Sequence, residues 1–139
     1  MKLFSFSKDG GPKSNVLGLW FIEAKSLFSA ALLRFSDKSR DEFHSHAFDS
    51  LSWVLSGSLT EQHLDGRMQR HHPSIKPVVT AKSTFHRVAA DDVTWVFTLR
   101  GPWDKTWFER TPEGRLNILG WGRRLLASKC TSLGWNGLK

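Results

Sequence analysis

The chain predicts an all-β protein, a sandwich or closed barrel, on three observations. Its apolar stretches are short, about four to eight residues each, and are divided by Gly, Pro, Ser and Asp turn signals at roughly ten-residue spacing. The most apolar stretch, Val93-Thr94-Trp95-Val96-Phe97-Thr98-Leu99, is β-branched and aromatic rather than helix-forming. A helix of any length is hard to place; Arg123–Lys129 could form one, and Ala30-Ala31-Leu32-Leu33 allows one on propensity alone.

In chain order, Val16–Ile22 reads as a strand closed by Glu23-Ala24-Lys25-Ser26, and Leu27–Phe35 reads as its partner. Leu51–Leu55 alternates and stops at Ser56-Gly57-Ser58, a tight turn. Leu59–Leu64 ends at Asp65-Gly66, a hairpin dipeptide, with Met68–His72 as the return strand. Pro73 and Pro77 confine the next piece to an edge or loop. Val78–Thr80, Thr84–Val88, Val93–Leu99, Thr106–Phe108 and Leu116–Leu119 complete the series of short strands. With no repeat, linker or low-complexity segment, residues 1–139 are expected to form one domain.

Composition narrows the chemistry. No apolar run approaches the roughly 20 residues of a membrane-spanning helix, and the N-terminus carries no signal-like apolar stretch, so a cytoplasmic protein without membrane contact is expected. One cysteine, Cys130, cannot close an intramolecular disulfide. There is no tyrosine, which removes phenol acid/base chemistry, while seven Trp and ten Phe supply rings for a core or pocket. The formal charge of +7 is concentrated in two tracts without acidic residues, Gly66–Ala90 and Gly114–Lys139. Such tracts suit a solvated surface, an anionic small molecule or a phosphate backbone, though no nucleic-acid-binding motif accompanies them.

The histidines carry the chemistry. His63 lies beside a turn and His71-His72 in the basic region, but His44-Ser45-His46 presents two imidazoles at i and i+2 of an extended segment, on one face. That arrangement supplies two adjacent ligands to one metal, and His86, in Thr84–Val88, is the candidate third. Neutral imidazole suits iron, zinc, nickel, manganese or copper over magnesium and calcium.

The surrounding frame, His44-Ser45-His46-Ala47-Phe48-Asp49-Ser50-Leu51 with Gly57, then Pro77 to His86, resembles the cupin superfamily. That family's first motif reads His-x-His, a Glu after three or four residues, and a Gly after six more; its second ends in His. The likeness covers Phe35 to Leu99, and implies a double-stranded β-helix, the cupin jelly-roll barrel, with one divalent metal on His44, His46 and His86. The motif's Glu, counted back from Gly57, falls on Ser50, a poor ligand. Asp49 or Glu61 could take its place as fourth ligand or proton acceptor, or the site is three-His, as in thiol dioxygenases of this superfamily. The second motif also lacks its usual Gly near the His and its trailing Asn.

The resemblance implies a mononuclear iron(II) oxygenase, of dioxygenase type, acting on a small anionic substrate. Arg34 is the expected anchor for the anion, with Arg87 next to His86 and the rings of Trp53 and Trp95 as further substrate contacts. The alternative is a binding or sensor module for a phosphate- or carboxylate-bearing ligand, with the metal structural or absent. Metal-free isomerase chemistry of the sugar-nucleotide kind usually uses a Tyr acid, which this chain lacks. A homodimer is expected by resemblance alone, and Trp121, Arg123-Arg124 and Trp135 would suit contact with a partner.

Overall fold

A computed structural model of the protein describes residues 1–11, 14–36, 43–111 and 114–130; Trp135 and Lys139 lie outside them. The described residues form twelve strands: β1 (Lys2–Lys8), β2 (Val16–Ala24), β3 (Phe28–Phe35), β4 (Ser50–Ser56), β5 (Leu59–His63), β6 (Met68–His71), β7 (Val78–Thr80), β8 (His86–Ala90), β9 (Thr94–Arg100), β10 (Thr106–Arg110), β11 (Arg115–Gly120) and β12 (Arg124–Cys130). A single 3-10 turn at Trp121–Arg123 is the only helical element among the described residues, and none is long and apolar enough to cross a membrane.

Two of the twelve differ from the sequence expectation. Arg124–Cys130 is a strand and not a helix: it pairs antiparallel along the whole of β11, from Arg115 opposite Cys130 to Gly120 opposite Arg124. The open edge of β11 supplies ladder partners for alternate residues of β12 along its length, and that outweighs the helix propensity of Leu125-Leu126-Ala127. Lys2–Lys8, unassigned from sequence, lies antiparallel on β2 with Leu3, Phe4 and Phe6 exposed. Lacking a buried face, it shows no inward alternation to read.

One sheet has the order β1-β2-β3-β9-β4-β7, antiparallel at every pairing of neighbours. Its inner face alternates strictly: Ala31, Leu33 and Phe35 on β3, and Thr94, Val96, Thr98 and Arg100 on β9 are buried. Facing strands form β6-β5-β8 and β10-β11-β12, and the segment around His44 stitches these two groups together, bridging His86 on one side and Glu109 on the other. Val16, Trp20, Leu33, Phe35, Val54, Leu59 and Val96 form one apolar cluster, while Ala47, Phe48, Trp107 and Leu119 form a second, with Trp103 packed against it.

Gly57, the glycine of the expected motif, has a structural reason to be glycine. It turns β4 into β5 at φ +81°, a left-handed conformation, and an added Cβ would stand 2.6 Å from the Val93 carbonyl oxygen and 2.9 Å from Thr94 Cα, besides meeting the Thr94 hydroxyl. Gly66, at φ +93°, has open space around it. Gly57→Ala is therefore expected to destabilise the fold by about 3 kcal/mol, from backbone strain plus overpacking. Gly66→Ala, with strain alone, costs about 1 kcal/mol. Urea denaturation of both variants checks the difference, and equal losses would contradict this reading of Gly57.

Candidate metal centre

His44 and His86 occupy directly opposed positions of an antiparallel bridge. Each N–H donates to the other's carbonyl at 3.0 Å, so their side chains leave the sheet on the same face. Ser45 N–H donates to Phe108 O at 2.9 Å and His46 N–H to Lys82 O at 3.3 Å, which holds the segment extended and returns His46 to the face of His44. The three rings form a nearly equilateral triangle with centroids 4.9, 5.1 and 5.0 Å apart, and their ligating nitrogens all lie within 4.8 Å of one another. His44 and His86 are buried.

The residues present fit a metal ion. His86 Nδ1 donates to the Glu61 carboxylate through a short hydrogen bond. A carboxylate only accepts, so the proton sits on Nδ1 and Nε2 carries the free lone pair. That Nε2 is buried and has no hydrogen-bond partner. A buried imidazole lone pair without a donor is costly unless a cation takes it, and a carboxylate behind the opposite nitrogen is how ligating histidines are oriented. The site therefore has a chemically suitable donor set for one transition-metal ion of the kind imidazole prefers.

Glu61 stands behind the triad and not within it. On β5 it pairs with Val88, two residues from His86 on the same face of the sheet. Its other oxygen accepts from His71 Nε2 at 2.9 Å, with His63 Nε2 at 3.4 Å. Burial alone pushes its carboxyl upward; the hydrogen bonds from His71 and His86, with the neighbouring His86 and His63 rings, more than reverse this and hold it below the usual carboxylate range. His63 and His71, expected to be incidental, are thus gathered around this carboxylate.

The other expected site residues lie elsewhere. Asp49 is exposed; its carboxylate accepts the Lys82 backbone N–H at 2.7 Å, so it fastens the loop before His86. Arg34 and Trp95, opposite each other on β3 and β9, occupy the outer face of the large sheet, because the inward positions are the alternate ones. Trp53 is likewise turned outward, donating its Nε1–H to Ile75 O at 3.1 Å and packing on Phe97. Arg87 points away from His86, bound to Gln62 at 2.8 Å and stacked over Phe43.

The cavity that meets the triad, about 110 Å³, is lined instead by Ser50, Ser52, Thr80, Thr98 and Arg100 among apolar neighbours. None of Arg34, Trp53, Arg87 and Trp95 lines it. Its arginine, Arg100, is buried, forked onto Asp9 at 3.0 and 2.6 Å, and held between the Trp20 and Phe48 rings. The period-two count from Thr94 gives the inward set Thr94, Val96, Thr98 and Arg100, which is the signal for Arg100 in the sequence. The basic tract Gly66–Ala90 is largely neutralised in space: Arg67 pairs with Asp65, Arg70 with Asp91 and Lys82 with Asp104.

These placements separate the two carboxylates experimentally. Glu61→Ala removes the acceptor from two imidazole N–H groups, and is expected to weaken metal binding about 10- to 100-fold and to cost about 2 kcal/mol of stability. Asp49→Ala is expected to leave metal affinity unchanged and to cost about 1 kcal/mol for the lost loop hydrogen bond. Metal titration of the stripped protein and denaturant unfolding report both quantities.

No protein-family model and no curated protein matches the chain. Solved structures do. A sugar phosphate isomerase of the cupin superfamily from Silicibacter pomeroyi superposes with a TM-score of 0.59 at 16% identity, over 86% of this chain and 79% of that one. A cupin superfamily protein from Desulfitobacterium hafniense gives 0.54 at 16% identity, over 66% and 83%. An RmlC-like cupin protein from Ralstonia eutropha gives 0.54 at 15% identity, over 90% and 73%. At such identities the likeness is one of fold. With its nearly all-β antiparallel sheets, this chain has the β-barrel fold of these cupin structures.

Proposed function

We propose that this protein is a metal-dependent cupin whose three-histidine centre holds a divalent transition metal, iron(II) in the working form, and oxidises a small anionic substrate with O₂. The observation that supports it most is the buried, unpartnered Nε2 of His86, in a triangle with His44 and His46 and oriented by Glu61. Iron(II) on three imidazoles would supply open coordination positions at which a substrate and O₂ can be brought together, which is the chemistry that non-haem oxygenases draw on.

The chain's own residues would do the rest. His44, His46 and His86 are neutral donors, so the metal's charge is not cancelled within the triad; of the two buried carboxylates nearby, Glu61 is committed to His86 and His71 and Glu109, opposite His44, to Arg123. The centre consequently retains net positive charge and favours an anionic donor group. Around it, Ser52 and Thr98 hydroxyls share a hydrogen bond at 3.0 Å, and Ser50 and Thr80 add further hydroxyls to the wall. Neutral donors and acceptors of this size orient a small polar molecule without fixing a second charge. Val54, Val88 and Val96 are among its apolar neighbours, and Arg100 enters the wall already paired with Asp9.

Anaerobic reconstitution with iron(II), followed by O₂ uptake over a panel of small carboxylic acids, tests the reading. Uptake that depends on one of these acids, with His44→Ala reduced to the background rate while unfolding cooperatively, is the expected result. A protein that holds iron in stoichiometric amount and takes up no O₂ with any of them would contradict the oxygenase reading and favour the ligand-binding alternative.

A further inference from the structure

A second cavity, about 320 Å³, shares Asp9, His46, Phe48 and Arg100 with the first. Its lining is cationic: Lys2, Lys8, Lys25, Arg100 and Arg123 stand against Asp9 and Glu23. Arg100 is matched by Asp9, and Arg123 by Glu109 at 2.7 Å. With those pairs set aside, Lys2 and Lys25 still stand against the single Glu23 of the lining, so the cavity carries a positive excess.

Two hydrogen-bond donors on residues that line it are buried and have no acceptor: Arg100 Nε and Trp103 Nε1. Orphaned buried donors are uncommon in folded proteins, and both of these can only donate. What would satisfy them is an acceptor, and a cation is excluded on that ground. Trp103 is also the point where charge gathers. Its backbone N–H donates to Lys25 O at 2.7 Å, and the Lys25 ammonium lies 4.8 Å from its ring centroid. The Trp103 ring in turn contacts Phe48 at 5.1 Å and Trp107 at 5.7 Å, giving the cavity an aromatic wall beside its cationic one.

We propose that this second cavity is a binding site for an organic anion, a carboxylate or phosphate carried on an aromatic or apolar body. The anionic oxygens accept from Trp103 Nε1 and Arg100 Nε and are balanced by Lys25, while the body lies against Phe48 and Trp107. None of the groups that would hold the anion belongs to the triad, although His46 borders both cavities, and the site gives the molecule an anion-recognition surface that Arg34 and Arg87, on the outside, do not.

Benzoate and phenyl phosphate, with benzyl alcohol as the neutral control, are suitable probes, followed by isothermal titration calorimetry on metal-free protein. Saturable binding of at least one anion, at least about tenfold tighter than the alcohol and weakening with salt, is expected. Lys25→Met and Trp103→Phe should each lose about tenfold in affinity, since each removes one charged or hydrogen-bonded contact. The preference between the two probes identifies the head group. Arg34→Ala and His44→Ala should bind as the unaltered protein does, which separates this site from the outer face and from the metal. Absence of saturable binding by both anions, or unchanged affinity in Lys25→Met with cooperative unfolding retained, would overturn the proposal. Should Trp103→Phe fail to fold, Lys25→Met decides alone.

Discussion

The structure turns on one backbone pairing, the bridge between His44 and His86. Without it, β8 and β10 would have no strand between them, and the two three-stranded groups facing the large sheet would be unjoined. The same two hydrogen bonds that close this layer fix the side chains of both residues on one face, at a spacing at which they can share an ion. Fold and site are therefore set by a single register. Slipping it by one residue would turn an imidazole from the cavity to the outer surface.

Around that pairing the polar groups are arranged in layers of decreasing commitment. Glu61 is spent on His86 and His71, which fixes the tautomer of the ligand it supports. Asp49 is spent on a backbone N–H and keeps the loop before His86 in place. Arg100 is bound to Asp9, with its guanidinium between the Trp20 and Phe48 rings. Each carboxylate thus has a supporting task, and the triad itself remains a set of neutral donors.

The triad was legible because its signal is local: His-x-His puts two ligands on one face of any extended segment, and the distance to His86 matches a known frame. The supporting carboxylate was not, since choosing between Asp49 and Glu61 requires knowing that β5 pairs with β8 and places Glu61 beside His86. The aromatic residues misled for a physical reason. Trp53 and Trp95 read as pocket lining by hydrophobicity, yet the inner face around the cavity takes small residues, Ser50, Ser52 and Thr98, and both rings lie outside. The strands at the margins, β1 and β12, are specified by the edges they join more than by their own side chains, so neither alternation nor propensity announces them.

The central claim is that His44, His46 and His86 bind one ion together while Glu61 does not touch it. Extended X-ray absorption fine structure of the iron(II)-loaded protein tests it most directly, because imidazole rings give a countable multiple-scattering signal. The account predicts three imidazoles per iron, falling to two in His86→Ala, with three retained in whatever fraction Glu61→Ala still binds. Two imidazoles in the unaltered protein, or three in His86→Ala, would contradict it.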